Sequence, residues 1–154
     1  MVELDVAFVP TPKRIVRAML QLASLRRGET LFDLGAGDGR VIIEAARRFG
    51  AHAIGVEVDP ACVRRIKERL TATGANADLI EMDIFRVDLS TADVVAIYLS
   101  DTANAKLAPK LKAELRHGAR IVSLDYRLPE WVPERELEVH ASGINRKLYL
   151  YKVT

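Results

Sequence analysis

One cysteine, Cys62, occurs in 154 residues. An intrachain disulfide and a cysteine-based metal site are thereby excluded, and so sparse a use of thiols suits a reducing interior. Long apolar runs are missing as well. No stretch approaches the roughly 20 residues needed to span a bilayer. The start, Met1-Val2-Glu3-Leu4-Asp5, lacks the basic-then-apolar pattern of a secretory leader, so a soluble, cytoplasmic protein without membrane insertion is expected. An excess of one charge is also missing: 23 Lys and Arg face 21 Asp and Glu, a net charge of +2. That is too little for general attraction to nucleic acid or to a membrane surface. The pairs Arg26-Arg27, Arg47-Arg48 and Arg64-Arg65 read as solvated helix faces or ends. His52, His117 and His140 share no metal-ligand spacing, so no metal is expected. Gln21 is the sole glutamine among many charges, a composition that points to a thermophile.

What is present is an alternation of short apolar runs with helical stripes, the pattern of a parallel sheet covered by helices. After an extended Ala7-Phe8-Val9-Pro10, Thr11 reads as a helix cap and Pro12 as a first-turn proline. Val16, Met19, Leu20 and Ala23 form the stripe of that helix. Strands are expected at Thr30–Leu34, Ala53–Glu57, Ala77–Met82, Asp93–Tyr98 and Ala119–Leu124. Between them run helices carrying Ile42, Ala45, Ala46 and Phe49, then Val63, Ile66 and Leu70, then a helical region from about Thr102 to Leu115 that Pro109 should break or restart. The end differs. Glu136–His140 and Lys147–Val153 flank Ser142-Gly143 with no helix between, which reads as an antiparallel hairpin. A single domain over 1–154 is expected, with 1–28 as an extended segment and helix covering the ligand site.

The informative stretch is Asp33-Leu34-Gly35-Ala36-Gly37-Asp38-Gly39-Arg40, a glycine-rich loop between a strand and a helix. Its spacing is G-x-G-x-G rather than the G-x-G-x-x-G of dinucleotide binders, and Asp33 precedes it. A carboxylate there repels a pyrophosphate. It suits the ammonium and sulfonium charges of S-adenosylmethionine (SAM), and Asp38 points the same way. Glu57 ends the next strand, where a carboxylate can accept both ribose hydroxyls. Asp83 follows the third strand, placed to accept from an adenine amino group, with Ile84 and Phe85 to pack on the ring. The three acids fall at the carboxyl ends of three successive strands, the edge at which open α/β sheets bind ligands. Thr11, Val58 and the loop residues Gly35, Ala36, Gly37 and Gly39 join the expected cofactor set.

These residues resemble the class I SAM-dependent methyltransferases. Asp33–Gly39 looks like their first motif, Glu57 like their ribose acid and Asp83 like their adenine-side acid. The resemblance implies an α/β, Rossmann-like class I methyltransferase fold, with a mostly parallel seven-stranded sheet and an antiparallel C-terminal hairpin. A narrower likeness covers nearly the whole chain. Phe8-Val9-Pro10-Thr11-Pro12, Asp38-Gly39-Arg40, Pro109-Lys110-Leu111, Trp131 with Pro133, and Leu148-Tyr149-Leu150-Tyr151 are similar to the small archaeal protein-lysine methyltransferases. Mitochondrial relatives of those enzymes methylate a component of the ATP synthase and the adenine nucleotide carrier. The likeness implies methyl transfer from SAM to lysine amines of protein partners, with S-adenosylhomocysteine as product.

Tyr98, Ser100 and Asn104 are the expected acceptor-positioning residues, because they follow the fourth strand; Phe8, Tyr126 and Trp131 are expected to line the substrate channel. Each has another reading. Tyr98 suits a core aromatic, Asn104 a helix cap, and Trp131 an anchor for the proline-rich loop Leu128–Pro133. Other acceptors stay open. A base methyltransferase often carries Asn/Asp-Pro-Pro-aromatic where this chain has Tyr98-Leu99-Ser100-Asp101, which makes nucleic acid a poorer fit. RNA or a small molecule as acceptor, and a catalytically silent SAM-binding protein, are the rival readings. A dinucleotide oxidoreductase is disfavoured by the glycine spacing.

Overall fold

The computed structural model describes residues 10–154. Its strands are β1 (Thr30–Leu34), β2 (His52–Glu57), β3 (Ala77–Glu81), β4 (Val94–Ile97), β5 (Arg120–Leu124), β6 (Arg135–Ala141) and β7 (Ile144–Lys152). All seven form one sheet in the order β3-β2-β1-β4-β5-β7-β6. Neighbours among β1 to β5 are parallel, and β7 runs antiparallel to both β5 and β6. The expected α/β, Rossmann-like sheet with an antiparallel C-terminal hairpin is therefore present.

Every residue of β4 is buried, as are the last four of β1, because helices or loops cover both faces of the sheet there. On one face α1 (Lys13–Leu22), α2 (Arg40–Phe49) and α3 (Pro60–Thr73) contribute Ile15, Met19, Leu20, Ile42, Ala45 and Ile66 to a core with Leu31, Val94, Ala96 and Val122. On the other, Leu107, Ala108 and Leu111 of α4 (Asp101–Glu114) pack on Leu34, Val95, Ile97 and Ile121. The helix-free link between β3 and β4 completes that cover with Val87, Leu89 and Ala92. Each such Leu or Ile contributes about 1.5–3 kcal/mol when fully buried.

The chain winds outward from β1 through β2 to β3, then returns to place β4 on the other side of β1. The strand order reverses between β1 and β4, and a crevice opens at the carboxyl ends of such a pair. Asp33 and Tyr98 lie at that point.

Several local expectations are corrected. Pro12, not Thr11, holds the cap position of α1, and no side chain caps that helix. Pro109 does not break α4. Its missing N–H frees the carbonyl of Ala105, and both residues face solvent, where water serves that oxygen; Leu107, Ala108 and Leu111 keep the helix seated. The hairpin ladder runs to Ala141↔Ile144, so β7 begins three residues before Lys147. Ile144-Asn145-Arg146 carries no strand pattern, but backbone pairing next to the tight Ser142-Gly143 turn does not require one. Both turn residues have positive φ, the conformation of a two-residue hairpin turn.

Candidate active site

The loop after β1 is pinned by backbone hydrogen bonds. Gly35 and Ala36 N–H donate to the Val56 carbonyl at 2.9 and 3.1 Å, drawing the loop over β2. A Cβ on Gly55 of β2 would stand 2.9 Å from the Ala36 Cβ, so only glycine admits this approach. Gly35, Gly37 and Gly39 all have positive φ, which accounts for their alternation. Glu57 ties the far side of the loop. Its Oε1 accepts from Gly37 N–H at 2.9 Å, and its Oε2 from Val58 and Asp59 N–H at 3.2 and 3.1 Å.

Inside the loop lies a cavity of about 430 Å3. Of the expected residues, Thr11, Asp33, Gly35, Ala36, Gly37, Asp38, Glu57, Tyr98, Ser100 and Tyr126 line it. Asp33 stands out. It is 6% exposed, and no described residue donates a hydrogen bond to its side chain. Burial pushes its carboxyl well above the usual carboxylate range, and the charges of Glu57 and Asp38 push the same way. A cation placed in the cavity would relieve that penalty. Asp38 behaves oppositely. Burial raises its pKa, but the hydrogen bonds and charge of Arg40 outweigh burial and leave it lowered. Arg40 grips it at 2.6 Å and also donates to the Thr11 carbonyl at 2.8 Å. The expectation that Asp38 adds to the acid facing a cation is corrected: Arg40 neutralises it.

The mouth of the cavity is aromatic. Tyr98 is 41% exposed and stacks on Tyr126, ring centroids 6.3 Å apart. The Arg146 guanidinium lies 5.2 Å above the Tyr98 ring and is held by Asp125 at 2.7 Å. Asp125 adopts a left-handed backbone (φ 68°), which bends the chain after β5 and brings Tyr126 over the crevice. Ser100 lines the cavity, but its Oγ caps α4 by accepting from Ala103 N–H at 3.1 Å.

The remaining expected residues sit elsewhere. Gly39 is buried at the start of α2, behind the loop. Asn104 is fully buried beneath the mouth, outside the cavity lining. Trp131 packs edge-on against Tyr151 in the second core, 6.0 Å between centroids, and anchors its loop there. Val58, Asp83, Ile84 and Phe85 do not line the cavity. They lie at or just past the carboxyl ends of β2 and β3, where Met82 N–H donates to the Glu57 carbonyl. Asp83 uses Oδ1 to accept from Phe85 N–H at 2.9 Å. Val58 and Met82 are exposed apolar side chains on this rim. Phe8 lies outside the described residues.

Sequence reasoning missed Met19, Arg40, Val41, Cys62, Ile97 and Leu99 on the cavity wall, and Arg146 at its mouth. Only Arg40, adjoining the glycine loop, carried a signal. Burial, with Asp59 and Glu57 nearby, pushes the Cys62 thiol up to about 12, which keeps it protonated and unreactive at neutral pH. No group of His, Cys, Asp or Glu among the described residues can hold a metal ion.

The donor set fits SAM. A buried carboxyl with no donor among the described residues faces the cavity, Glu57 offers acceptor oxygens at the end of β2, and apolar Val58 and Met82 lie exposed just past β2 and β3. A pyrophosphate would meet Asp33 instead of a free row of N–H groups.

Comparison with known proteins agrees. The profile of the ANTKMT methyltransferase domain matches residues 33–135. The protein-lysine N-methyltransferase of Saccharolobus islandicus (strain REY15A) is 36% identical over 151 residues, covering 96% of this chain and 94% of that protein. The adenine nucleotide translocase lysine N-methyltransferase of Mus musculus is 33% identical over 132 residues, 84% of this chain but 57% of the mouse protein. Among solved structures, an RNA methyltransferase from Salinibacter ruber in complex with S-adenosyl-L-homocysteine superposes with a TM-score of 0.87, at 37% identity and 94% coverage of each chain.

Proposed function

The chain belongs to the ANTKMT methyltransferase domain family, and from that premise we propose that it methylates the side-chain amine of lysine in proteins. It is a SAM-dependent methyltransferase. The observation that carries the acceptor class is the match, over nearly the full length of both chains, to a protein-lysine N-methyltransferase. The aromatic mouth at Tyr98 and Tyr126 supports it, since a lysine stem is a long apolar rod that packs well against aromatic rings.

Bound SAM supplies an electrophilic methyl group on a sulfonium. The protein must then orient a neutral amine in line with it, and positioning alone supplies much of the acceleration. A free lysine has a pKa of about 10.4, so presenting it neutral at pH 7 costs roughly 4–5 kcal/mol. Desolvation against the Tyr98–Tyr126 pair lowers that pKa. Arg146, held by Asp125, places the positive end of that ion pair over the Tyr98 ring and acts in the same direction. No dedicated base is needed.

On the cofactor side, Asp33 holds the ammonium end, while Gly35, Ala36 and Gly37 present loop backbone close to the ligand. Glu57 accepts from the ribose, sharing its oxygens with the backbone N–H groups it already serves. Val58, Asp83, Ile84 and Phe85 flank the adenine, and Thr11 closes the side nearest α1. Tyr98, Tyr126 and the backbone at Ser100 position the acceptor, and Asn104 acts through Tyr126. The chain works as one domain, with residues 10–28 flanking the cofactor; Met19 and Thr11 on the cavity wall support this. The scarcity of cysteine supports a cytoplasmic setting. The close ion pairs Arg120–Glu29, Arg116–Asp93 and Arg17–Glu44 support a warm one. Among the described residues no helix is long and apolar enough to cross a membrane.

RNA is the second reading, because the solved Salinibacter ruber structure is that of an RNA methyltransferase. Incubation with radiolabelled SAM and host lysate separates the two. Label removed by protease and retained after nuclease is the expected result. Label removed by nuclease alone rejects lysine as the acceptor.

A further inference from the structure

A larger cavity, about 640 Å3, runs along the outside of α2 between α1 and α3. Lys13 and Arg17 of α1, Arg40, Arg47 and Arg48 of α2, and Arg69 of α3 line it. Six cations thus gather in one groove of a chain whose net charge is only +2. Two carboxylates oppose them. Glu44 binds Arg17 at 2.6 Å and Asp38 binds Arg40 at 2.6 Å. Arg48 and Arg69 reach those same two acids only at 3.9 Å. Lys13 and Arg47 pair with no carboxylate among the described residues. Among the described residues the positive charge is therefore largely uncompensated, and walls of low dielectric concentrate its field.

We propose that this groove docks an acidic segment of the protein substrate, carboxylate side chains lying against Lys13, Arg47 and Arg48. The proposal rests on the protein-lysine reading above. Guanidinium groups match carboxylates with paired hydrogen bonds. Val16 and Ile43 give the floor an apolar strip on which a peptide can lie. Among the described residues no aromatic side chain lines the groove, so they give the base stacking that holds single-stranded nucleic acid no platform. From Arg40 to Arg48 the helix advances about 12 Å at 1.5 Å per residue, room for about four extended residues. Arg40 also lines the cofactor cavity, so the two sites adjoin. A polypeptide continuing from the groove past Arg40 reaches the wall of the cofactor cavity.

The test uses the whole chain and two measurements. A fluorescent peptide of alternating Glu and Ala, with no lysine, reads the groove alone by anisotropy. Wild type should bind it, more weakly as salt rises and shortens the Debye length to below about 10 Å. Lys13→Gln/Arg47→Gln/Arg48→Gln should weaken binding about tenfold or more, with its melting temperature and SAM affinity close to wild type. Methylation of two lysine peptides, one flanked by glutamates and one by alanines, is then compared. KM should favour the acidic peptide in wild type, and that preference should vanish in the triple variant at unchanged kcat. No binding by wild type, equal binding by the variant, or tighter binding of a single-stranded RNA of equal charge would each overturn the docking proposal. Failure to methylate either lysine peptide while the lysine-free peptide still binds would reject the lysine reading instead.

Discussion

The Asn104 side chain reaches from α4 to the carbonyl of Tyr126, Nδ2 to O 3.3 Å, and holds the neighbouring Arg127 carbonyl at 3.1 Å. Asn104 is fully buried, and Ser123 Oγ donates to the same Tyr126 carbonyl at 2.5 Å. The bend that carries Tyr126 to the mouth of the cavity is thus clamped from beneath. Asn104→Ala leaves the part-buried Arg127 carbonyl without this donor and the Tyr126 carbonyl with Ser123 alone, and it also removes the buried Oδ1 that has no partner among the described residues. It should cost about 2–3 kcal/mol of stability, read as a lower melting temperature. SAM affinity, measured by calorimetry, should stay near wild type while KM for a lysine peptide rises. Weakened SAM binding with unchanged KM would place Asn104 on the cofactor side instead.

Arg146 and Asp125 form a second support at the same mouth. Arg146→Ala removes the positive charge above Tyr98. The bound lysine then deprotonates less readily, so the rising limb of kcat against pH should move upward by about one unit, equivalent to about 1.4 kcal/mol. Arg146→Lys, which keeps the charge, should restore most of the limb's position. A loss of rate that is uniform across pH would show that Arg146 acts through packing and not through charge.

Asp33 couples the cofactor-free fold to pH. Its carboxyl titrates well above the usual range in the folded chain because burial, then Glu57 and Asp38, oppose ionisation. The unfolded chain releases that proton at the ordinary value. Stability of the cofactor-free protein therefore falls as pH rises from the ordinary carboxylate value through the raised one. Asp33→Asn should remove this fall and raise the melting temperature at pH 7. The same variant should bind cationic SAM at least about tenfold more weakly, having lost a charge-assisted contact. Calorimetry in buffers of different ionisation enthalpy should show proton release on SAM binding to wild type and none for the variant.

The opposite sign holds at Glu29. The hydrogen bond from Arg120 is the largest influence on it and overcomes burial, lowering its pKa from 4.5 to about 2. Arg120 also donates to the Ala23 and Ser24 carbonyls, so the pair fastens the end of α1 to β5. The stability from this pair is complete above about pH 4.5 and is lost as pH falls toward about 2. Its size is on the order of 2–3 kcal/mol. Glu29→Gln should move the midpoint of acid unfolding to higher pH. An unmoved midpoint would show that the pair does not control acid stability.

The strands and three of the helices were legible because apolar periodicity and turn residues agree along the chain. Boundaries shifted by one to three residues, the most where a strand pairs through backbone alone, as at Ile144-Asn145-Arg146. Pro109 misled because a local rule ignores which face of the helix meets water. Asp33, Gly35, Gly37 and Glu57, singled out by their spacing, all reach the cavity wall, and Gly39 does not. Trp131 was not readable in that way. Its partner Tyr151 lies 20 positions along the chain, and only packing decides whether a tryptophan fills a core or walls a channel.

Sequence alone determined the glycine-rich turn, the acid before it and the succession of strands and helices along the chain, because each depends on conformational limits of the residues in place. Tertiary structure decided charge and orientation. Arg40 silences Asp38, Arg146 comes from the far hairpin to cover Tyr98, and three helices pool their cations over α2. The physical reason is that electrostatic and packing energies depend on distance in space, which folding sets and spacing along the chain does not.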